Sequence, residues 1–246
     1  MRRLVVAVVL FAAASCGTTS VTLEPTSTTT TSTTLTTTTS SSTTTTTMAT
    51  TTTTTEPPEP VFDSSVRPTD ADELGVSWRD GCPVPVEELR WLELAHWDYE
   101  GNATMGVLVV HADHVDDVVT VFERLFEARF PIQSMLPITD FDGDDNASMR
   151  ANNSSAFNCR VIEGTNRWSQ HAFGGAIDIN PLVNPWVRGD QVDPPEGAEY
   201  VERDPNIPGL IVAGDVVTEA FASIGWGWGG DWQNSVDYQH FSHNGR

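Results

Sequence analysis

The order of apolar and polar residues between positions 89 and 130 predicts a two-stranded hairpin followed by a helix. Strand-like runs cover residues 89–99 and 105–111, and residues 100–102 between them fit a hairpin connection. Asp113 occupies an N-cap position, and the helix should end near Phe130-Pro131. The apolar positions at helical spacing, which we expect in the core, are Val115, Val118, Val119, Phe122 and Phe126.

A second strand-like pattern lies further along the chain, at residues 175–180. Alternation there places Ile177 and Ile179 on one face and Asp178 and Asn180 on the other. Two apolar anchors would thus hold a carboxylate that points away from the core. Together with the hairpin and the amphipathic helix, this pattern predicts an α+β domain in which a small antiparallel sheet packs against helices.

The first 16 residues have the organisation of an export signal. Two arginines precede an apolar stretch at residues 4–14, which is too short to cross a bilayer as a permanent helix. Cys16 then follows small residues as in a bacterial lipobox, although Ala13 stands where Leu is usual. We expect lipidation of Cys16, with plain secretion and nearby cleavage as the alternative, and either route places the chain outside the cytoplasm.

Residues 17–60 are almost entirely Thr and Ser and contain no aromatic side chain. Such a segment has too little apolar surface to offset the entropy lost on ordering, so we predict a disordered tether. Its composition also suits O-glycosylation, without establishing it. The remaining residues, 61–246, suffice for a single domain with a substantial core.

Charge and cysteine content narrow the functional classes. The net charge is −21 and the chain contains no lysine, so a nucleic-acid partner is not expected. Acidity of this kind favours solubility of an exported protein. Apart from Cys16, the cysteines are Cys82 and Cys159, and an even pair in an oxidising compartment predicts a disulfide, with two buried free thiols as the alternative.

Two polar segments have competing interpretations. The acidic run at residues 140–146 suggests calcium, but the glycine lies at its fourth position and no Glu follows at the twelfth, so we favour a solvated turn. Arg160, beside Cys159, is either held rigidly or is a surface charge.

We assign His96, His111 and His114 structural or surface roles.

Four residues carry the strongest chemical signal: His171, Asp178, Asp237 and His240. Two imidazoles and one carboxylate make a three-ligand zinc site with an open position, and a further carboxylate can act as a general base. Gly174 and Gly175 allow the chain to turn between the first pair. Trp228 and Trp232 suit the wall of a cleft or the edge of a core.

Residues 81–243, and above all 157–185 and 225–241, resemble the zinc D-alanyl-D-alanine carboxypeptidases and L-alanyl-D-glutamate endopeptidases of bacterial cell-wall metabolism. This family shares its fold and metal site with the hedgehog signalling domain. The resemblance implies that the Ser-x-His-x6-Asp motif beginning at Ser169 supplies the zinc ligands His171 and Asp178, and that His240 is the third ligand. His243, three residues later, is the competing ligand.

The same resemblance implies that Asp237 is the catalytic base. Many carboxypeptidase members have Glu at this position, whereas Asp is frequent among endopeptidase-like members. The family also uses an arginine to stabilise the substrate carbonyl. Arg160, at the end of a Phe-Asn-x-Arg pattern, fits this role better than Arg150. Ser169, Trp228 and Trp232 are expected to contact substrate.

These observations predict a monomeric, extracytoplasmic zinc metallopeptidase that hydrolyses an amide bond in peptidoglycan stem peptides. The sequence leaves open whether it is a carboxypeptidase or an endopeptidase. Any membrane contact is expected only through the lipid anchor. The main alternative is a non-hydrolytic, zinc-containing module that binds cell-wall peptides. A third, less favoured alternative is a calcium-dependent adhesin that uses the acidic run.

Overall fold

The computed structural model describes residues 58–246, which form an α+β domain, as the sequence predicted. The predicted signal peptide, Cys16 and nearly all of the Thr/Ser-rich tether lie outside this range. No helix within residues 58–246 is long and apolar enough to cross a membrane. The strands are β1 Ser64–Pro68, β2 Leu89–Trp97, β3 Ala103–His111, β4 Ser134–Met135, β5 Asn153–Ser154, β6 Ala176–Asp178, β7 Trp186–Arg188, β8 Gln191–Asp193, β9 Gly227–Trp228, β10 Val236–Asp237 and β11 His240–Ser242.

The helices are fewer and mostly short. The α-helices are α1 Ala71–Leu74, α2 Val115–Glu127, α3 Asp145–Arg150 and α4 Val216–Ser223. Tighter 3-10 turns cover Gly75–Ser77, Val86–Glu88, Ala112–His114, Ile138–Phe141, Gln170–Phe173, Pro195–Tyr200 and Gly229–Asp231.

The predicted hairpin is present as strands β2 and β3, which pair antiparallel from Leu89 opposite His111 to Trp97 opposite Ala103. Strand β2 ends two residues earlier than predicted, because Asp98 accepts a hydrogen bond from the backbone N–H of Asn102 and closes the turn. Strand β1 adds to the other edge of β2, also antiparallel. The result is a three-stranded antiparallel sheet in the order β1-β2-β3.

The predicted amphipathic helix is α2, which packs on β2 and on α4. The predicted N-cap at Asp113 is wrong, because a 3-10 turn intervenes and His114 precedes the helix. The helix ends at Glu127, before Phe130, because Arg129 adopts a left-handed conformation (φ 54°) and the N–H of Phe130 bonds back to the carbonyl of Leu125.

Helix α2 and the strands around it enclose the main core. Three of the five predicted helix positions, Val118, Phe122 and Phe126, are buried, while Val115 and Val119 are partly buried against the same core. The prediction did not include Val121 and Leu125, which are also buried. Other members of this core are Leu92, Leu108, Ile177, Ile179, Phe221 and Phe241.

The second half of the domain is built from strands of two or three residues. Strand β11 pairs with both β6 and β9, and β7 pairs with both β8 and β10, antiparallel in every case. As predicted, Ile177 and Ile179 are buried in the core. Asn180 is fully buried and not on an open face, because its amide donates to the carbonyls of Pro131 and Gly209.

The predicted disulfide joins Cys82 and Cys159, whose Cα atoms lie 5.9 Å apart. It ties the segment before β2 to the segment that leads into the Ser-x-His-x6-Asp motif beginning at Ser169. The acidic run is more ordered than the predicted solvated turn. Asp144 caps α3 by accepting from the N–H of Ala147, and Asp145 pairs with Arg160 across 2.7 Å.

Candidate metal centre

His171 is placed by a short, well-capped turn. It lies in the 3-10 helix Gln170–Phe173, and the hydroxyl of Ser169 accepts a hydrogen bond from its backbone N–H. Gly174 ends the turn in a left-handed conformation (φ 64°) and packs so closely on the β3 backbone that any side chain there would collide with His111. Glycine is therefore needed for the chain to reverse between His171 and strand β6.

Asp178 and His240 meet because their strands pair. In the antiparallel ladder between β6 and β11, Asp178 lies directly opposite His240. Facing residues of such a ladder have side chains on the same side of the sheet. On the other edge of β6, the backbone N–H and carbonyl of Asp178 form reciprocal hydrogen bonds with Ser155.

The ligand atoms of these three residues converge to one point. His171 Nε2 lies 3.3 Å from His240 Nδ1 and 3.1 Å from Asp178 Oδ2, and His240 Nδ1 lies 3.0 Å from Asp178 Oδ1. Among residues 58–246 this is the group of three or more His, Cys, Asp and Glu side chains that lie close enough together to share an ion. All three are largely buried, with side-chain exposures of 5%, 13% and 7% for His171, Asp178 and His240.

Hydrogen bonds to the outer nitrogens determine which nitrogen of each imidazole faces the centre. His171 Nδ1 lies 2.6 Å from the carbonyl oxygen of Ala156, so it carries the proton and leaves Nε2 free. His240 Nε2 lies 3.3 Å from the carbonyl oxygen of Arg246, which leaves Nδ1 free. This is the outer-nitrogen contact that metal-binding histidines make in proteins.

The electrostatics of the trio favour an anionic carboxylate between the two imidazoles. Burial acts to raise the pKa of Asp178, but the charge and hydrogen bonds of His171 and the hydrogen bond of His240 outweigh it and hold that pKa far below its usual range. Conversely, burial acts to lower the pKa of His171, and the charge of Asp178 overcomes it and raises the pKa. Asp178 is therefore ionised at neutral pH.

Asp237 lies beside this trio, on β10. Gly229 lies between Asp237 and His240: a Cβ added there would come 2.8 Å from Asp237 Cβ and 3.3 Å from His240 Cβ. Asp237 Oδ1 is buried and has no hydrogen-bond partner within the described part of the chain. Burial raises the pKa of Asp237 to about 7, with the charge of His240 opposing the shift and that of Asp178 adding to it.

Of the two candidate arginines, Arg160 is the one at the site. Its positive charge acts to lower the pKa of both His171 and Asp237, although other effects raise each of these pKa values overall. Its guanidinium pairs with Asp145, while its Nε is buried without a partner. Arg150, at the exposed end of α3, shows no such effect on either residue.

Sequence reasoning missed two carboxylates beside Arg160. Asp145 binds both Arg160 and the side-chain amide of Asn158. Asp193, at the end of β8, has a pKa raised by burial and by the charges of Asp145 and Glu163. Asp145 belongs to the acidic run at residues 140–146, but nothing in the spacing of these residues indicates that it pairs with Arg160.

The other predicted cleft residues have different surroundings. The ring of Trp232 lies 5.4 Å from that of His240, and its Nε1 donates to the carbonyl of Gly245. Trp228 packs on Phe241 and donates to the carbonyl of Tyr238, which makes it a core-edge residue. Ser169 is buried and caps the turn of His171. Contact of these three with substrate stays a prediction.

His243, the competing ligand, lies away from the trio. Its ring is 4.9 Å from that of His114, and its backbone N–H bonds to the carbonyl of Gly175. His96 is buried, in keeping with the structural role expected of it, and its pKa is lowered by burial. His111 pairs with Glu88.

A comparison of the sequence with known protein families supports a peptidase site at these residues. A family model described as D-alanyl-D-alanine carboxypeptidase matches residues 163–243, about a third of the chain, and this segment contains His171, Asp178, Asp237 and His240. No curated protein and no solved structure matches the chain. The family match supports a peptidase, and over residues 163–243 it confirms the predicted resemblance to the zinc peptidases of the D-alanyl-D-alanine carboxypeptidase family.

Proposed function

We propose that this protein is a zinc-dependent peptidase that hydrolyses an amide bond in peptidoglycan stem peptides. The observation that carries the proposal is the convergence of His171, Asp178 and His240, with Asp237 beside them and its Oδ1 buried without a hydrogen-bond partner in the described part of the chain. A metal centre explains the first three, and a general base explains the fourth.

The donor set fits zinc. Structural and catalytic zinc sites use imidazole nitrogen and carboxylate oxygen at about 2.0–2.2 Å, and ligand atoms at the corners of such a tetrahedron lie about 3.3 Å apart. His171 Nε2 and His240 Nδ1 lie 3.3 Å apart, and each lies 3.0–3.1 Å from a different oxygen of the Asp178 carboxylate. Three protein ligands leave a fourth position for water or substrate, which is the arrangement of catalytic zinc sites.

When bound, zinc would supply a Lewis acid that polarises a carbonyl and acidifies water. Asp237 would accept a proton from the attacking water and return it to the amine that leaves when the C–N bond breaks. The positive charge of Arg160, which acts on both His171 and Asp237, would stabilise the negative charge that develops on the carbonyl oxygen. Trp232 and Gly229 both lie next to His240.

The substrate assignment rests on the family match and on the N-terminal sequence. The matched family is described by its action on D-alanyl-D-alanine, which is the end of a stem peptide. A signal peptide, a lipidated Cys16 and a long Thr/Ser-rich tether would hold the domain at the outer face of a bacterial membrane, within reach of the wall. Carboxypeptidase and endopeptidase activity both remain open within this proposal.

The alternative is a non-hydrolytic module that binds cell-wall peptides. Asp237 favours the hydrolytic function, because burying a carboxyl without a hydrogen-bond partner costs about 1–3 kcal/mol and a purely structural zinc site gains nothing from it. Such a residue is expected where catalysis requires it.

The test is incubation of the purified protein with defined muropeptides, before and after removal of metal with a chelator, followed by mass analysis. We expect cleavage that stops on chelation and returns with Zn²⁺. Loss of a terminal D-Ala identifies a carboxypeptidase, and an internal cut identifies an endopeptidase. Muropeptides that bind but stay intact with zinc present would support the binding module instead.

A further inference from the structure

A second group of histidines lies outside the candidate metal centre. His111, His114 and His243 line an open cavity of about 530 Å³, together with Asp113, Gln170 and Asn244. The ring centroids of His114 and His243 are 4.9 Å apart, and those of His111 and His114 are 5.9 Å apart. Neither the peptidase mechanism nor the main core uses these imidazoles.

The spacing of His114 and His243 matches that of the imidazoles in the first centre. A ring nitrogen bound to zinc at about 2.0–2.1 Å puts the ring centroid about 3.2 Å from the ion, so two such ligands at tetrahedral angles have centroids about 5 Å apart. The separation is 5.1 Å for His171 and His240 and 4.9 Å for His114 and His243.

His243 also carries the outer-nitrogen contact typical of metal-binding histidines. Its Nδ1 lies 3.3 Å from the carbonyl oxygen of Gly175, so Nδ1 carries the proton and Nε2 is left with a free lone pair. His171 is arranged in the same way, with Nδ1 on the carbonyl of Ala156. Gly175 permits this approach, because a side chain there would overlap the His243 ring and press on His114.

His114 contributes an imidazole that is available to a ligand. Neither of its ring nitrogens takes part in a hydrogen bond within residues 58–246. Trp226 packs edge-on against it at 5.3 Å and limits its movement.

His111 differs from the other two, because both of its nitrogens are engaged. Nδ1 accepts from the backbone N–H of Asp113, and Nε2 therefore carries the proton that it shares with Glu88 at 3.2 Å. This neighbour has the same chemistry and the same cavity but no free lone pair. It provides a matched control.

We propose that His114 and His243 form a second transition-metal site, with water or a nearby side-chain oxygen as the other ligands. Imidazole pairs bind Zn²⁺, Ni²⁺ and Cu²⁺ and exclude Mg²⁺ and Ca²⁺, which prefer oxygen. The site is exposed to solvent, so an ion can enter without rearrangement of the fold.

The test counts zinc bound per chain by equilibrium dialysis at a fixed excess of free Zn²⁺, on untagged protein, for the wild type and for His114→Asn, His243→Asn, His111→Asn and His171→Ala. We expect two equivalents in the wild type, one in each of the His114 and His243 variants, and two in the His111 control. His171→Ala should lose one equivalent and keep the second site.

Each outcome separates this proposal from the peptidase centre. Zinc that is lost on His114→Asn and His243→Asn supports the second site even if His171→Ala changes nothing, which would count against the first centre only. Zinc counts that are equal in the wild type and both variants would overturn the second site. Melting curves verify folding, and each of the two variants can be interpreted without the other.

A spectroscopic readout gives the ligands directly. Cu²⁺ added to the His171→Ala protein should show the electron-paramagnetic-resonance nitrogen couplings of two imidazoles. Either His114→Asn or His243→Asn in that background should reduce the couplings to one imidazole. Unchanged couplings in both variants would contradict the assignment.

Discussion

Two regions of this domain are stabilised in different ways. The hairpin–helix region, residues 64–127, has strands of five to nine residues and a 13-residue helix, and its interior is mostly apolar, with His96 and Ser77 as buried polar residues. The site region, residues 153–246, has strands of two or three residues. Its buried positions include polar side chains in unusual number, among them Asn153, Asn158, Asn180, Asn184 and Gln239.

Side chains supply the hydrogen bonds that such short strands cannot provide. Asn184 is fully buried, and its amide donates to the carbonyls of Ile179, Asn180 and Gly209. Its carbonyl oxygen accepts from the N–H of Ile211 and from Arg203. Buried backbone groups must be paired, and here asparagine and arginine pair them. The difference indicates that apolar packing supports the domain, whereas directional polar bonds fix the positions of the site loops.

The largest expected effect separates activity from stability in the site region. Asp237→Asn keeps the size of the side chain but removes the proposed base, so we expect turnover to fall by about 10²- to 10⁴-fold. Bound zinc should be unchanged. The measurements are muropeptide hydrolysis and metal content, with the exposed Asp231→Asn as control. Wild-type turnover in Asp237→Asn would remove this residue from the mechanism.

Next in size is the covalent link between the two regions. Replacing Cys82 and Cys159 together by Ala opens a loop with a sequence separation of 77, and the chain-entropy model predicts a loss of about 4.5 kcal/mol in the free energy of unfolding. Urea unfolding with and without reductant measures it. A reduced wild type as stable as the oxidised protein would show that packing alone joins the regions.

Shortening a buried side chain in the hairpin–helix region tests whether the stability of that region can change without a change in turnover at the site. Leu125 is 1% exposed in the core beneath α2, so Leu125→Ala should cost about 2–5 kcal/mol of unfolding free energy. Glu123→Ala, on the exposed side of the same helix, should change it by less than about 0.5 kcal/mol. Turnover per folded molecule should stay at the wild-type level in both variants.

The matching test in the site region is Asn184→Ala. Buried backbone groups would lose their partners, and the expected cost is about 2–3 kcal/mol together with weaker zinc binding. Asn166→Ala, at an exposed position, is the control. If Asn184→Ala lost this stability but bound zinc as tightly as the wild type, the polar hydrogen bonds would not be what positions the site.

The smallest effect concerns Ser169. Because its hydroxyl caps the turn that carries His171, Ser169→Ala should lower stability by about 1 kcal/mol. Its burial leads us to expect an unchanged KM. A rise in KM at constant stability would instead support the substrate contact predicted from the sequence.

Prediction from sequence succeeded where a repeating pattern was long enough to specify a face. The hairpin, helix α2 and the buried Ile177 and Ile179 follow from periodicity alone. It failed at helix ends, where the local turn at residues 112–114 displaced the expected Asp113 cap. Such ends depend on a few competing hydrogen bonds, each worth about 1 kcal/mol, which periodicity does not encode.

The sequence by itself determined which imidazoles and carboxylates are present, and it predicted an α+β fold and a disulfide between Cys82 and Cys159, with two free thiols as the alternative. Only the tertiary structure decided which of these groups meet. The pairing of β6 with β11 brings Asp178 opposite His240, and the cap at Ser169 positions His171 beside them. His243, which follows β11 directly, lies against His114 instead. The reason is physical: contacts between residues 60 to 130 positions apart depend on strand register and backbone direction, which local sequence patterns leave open.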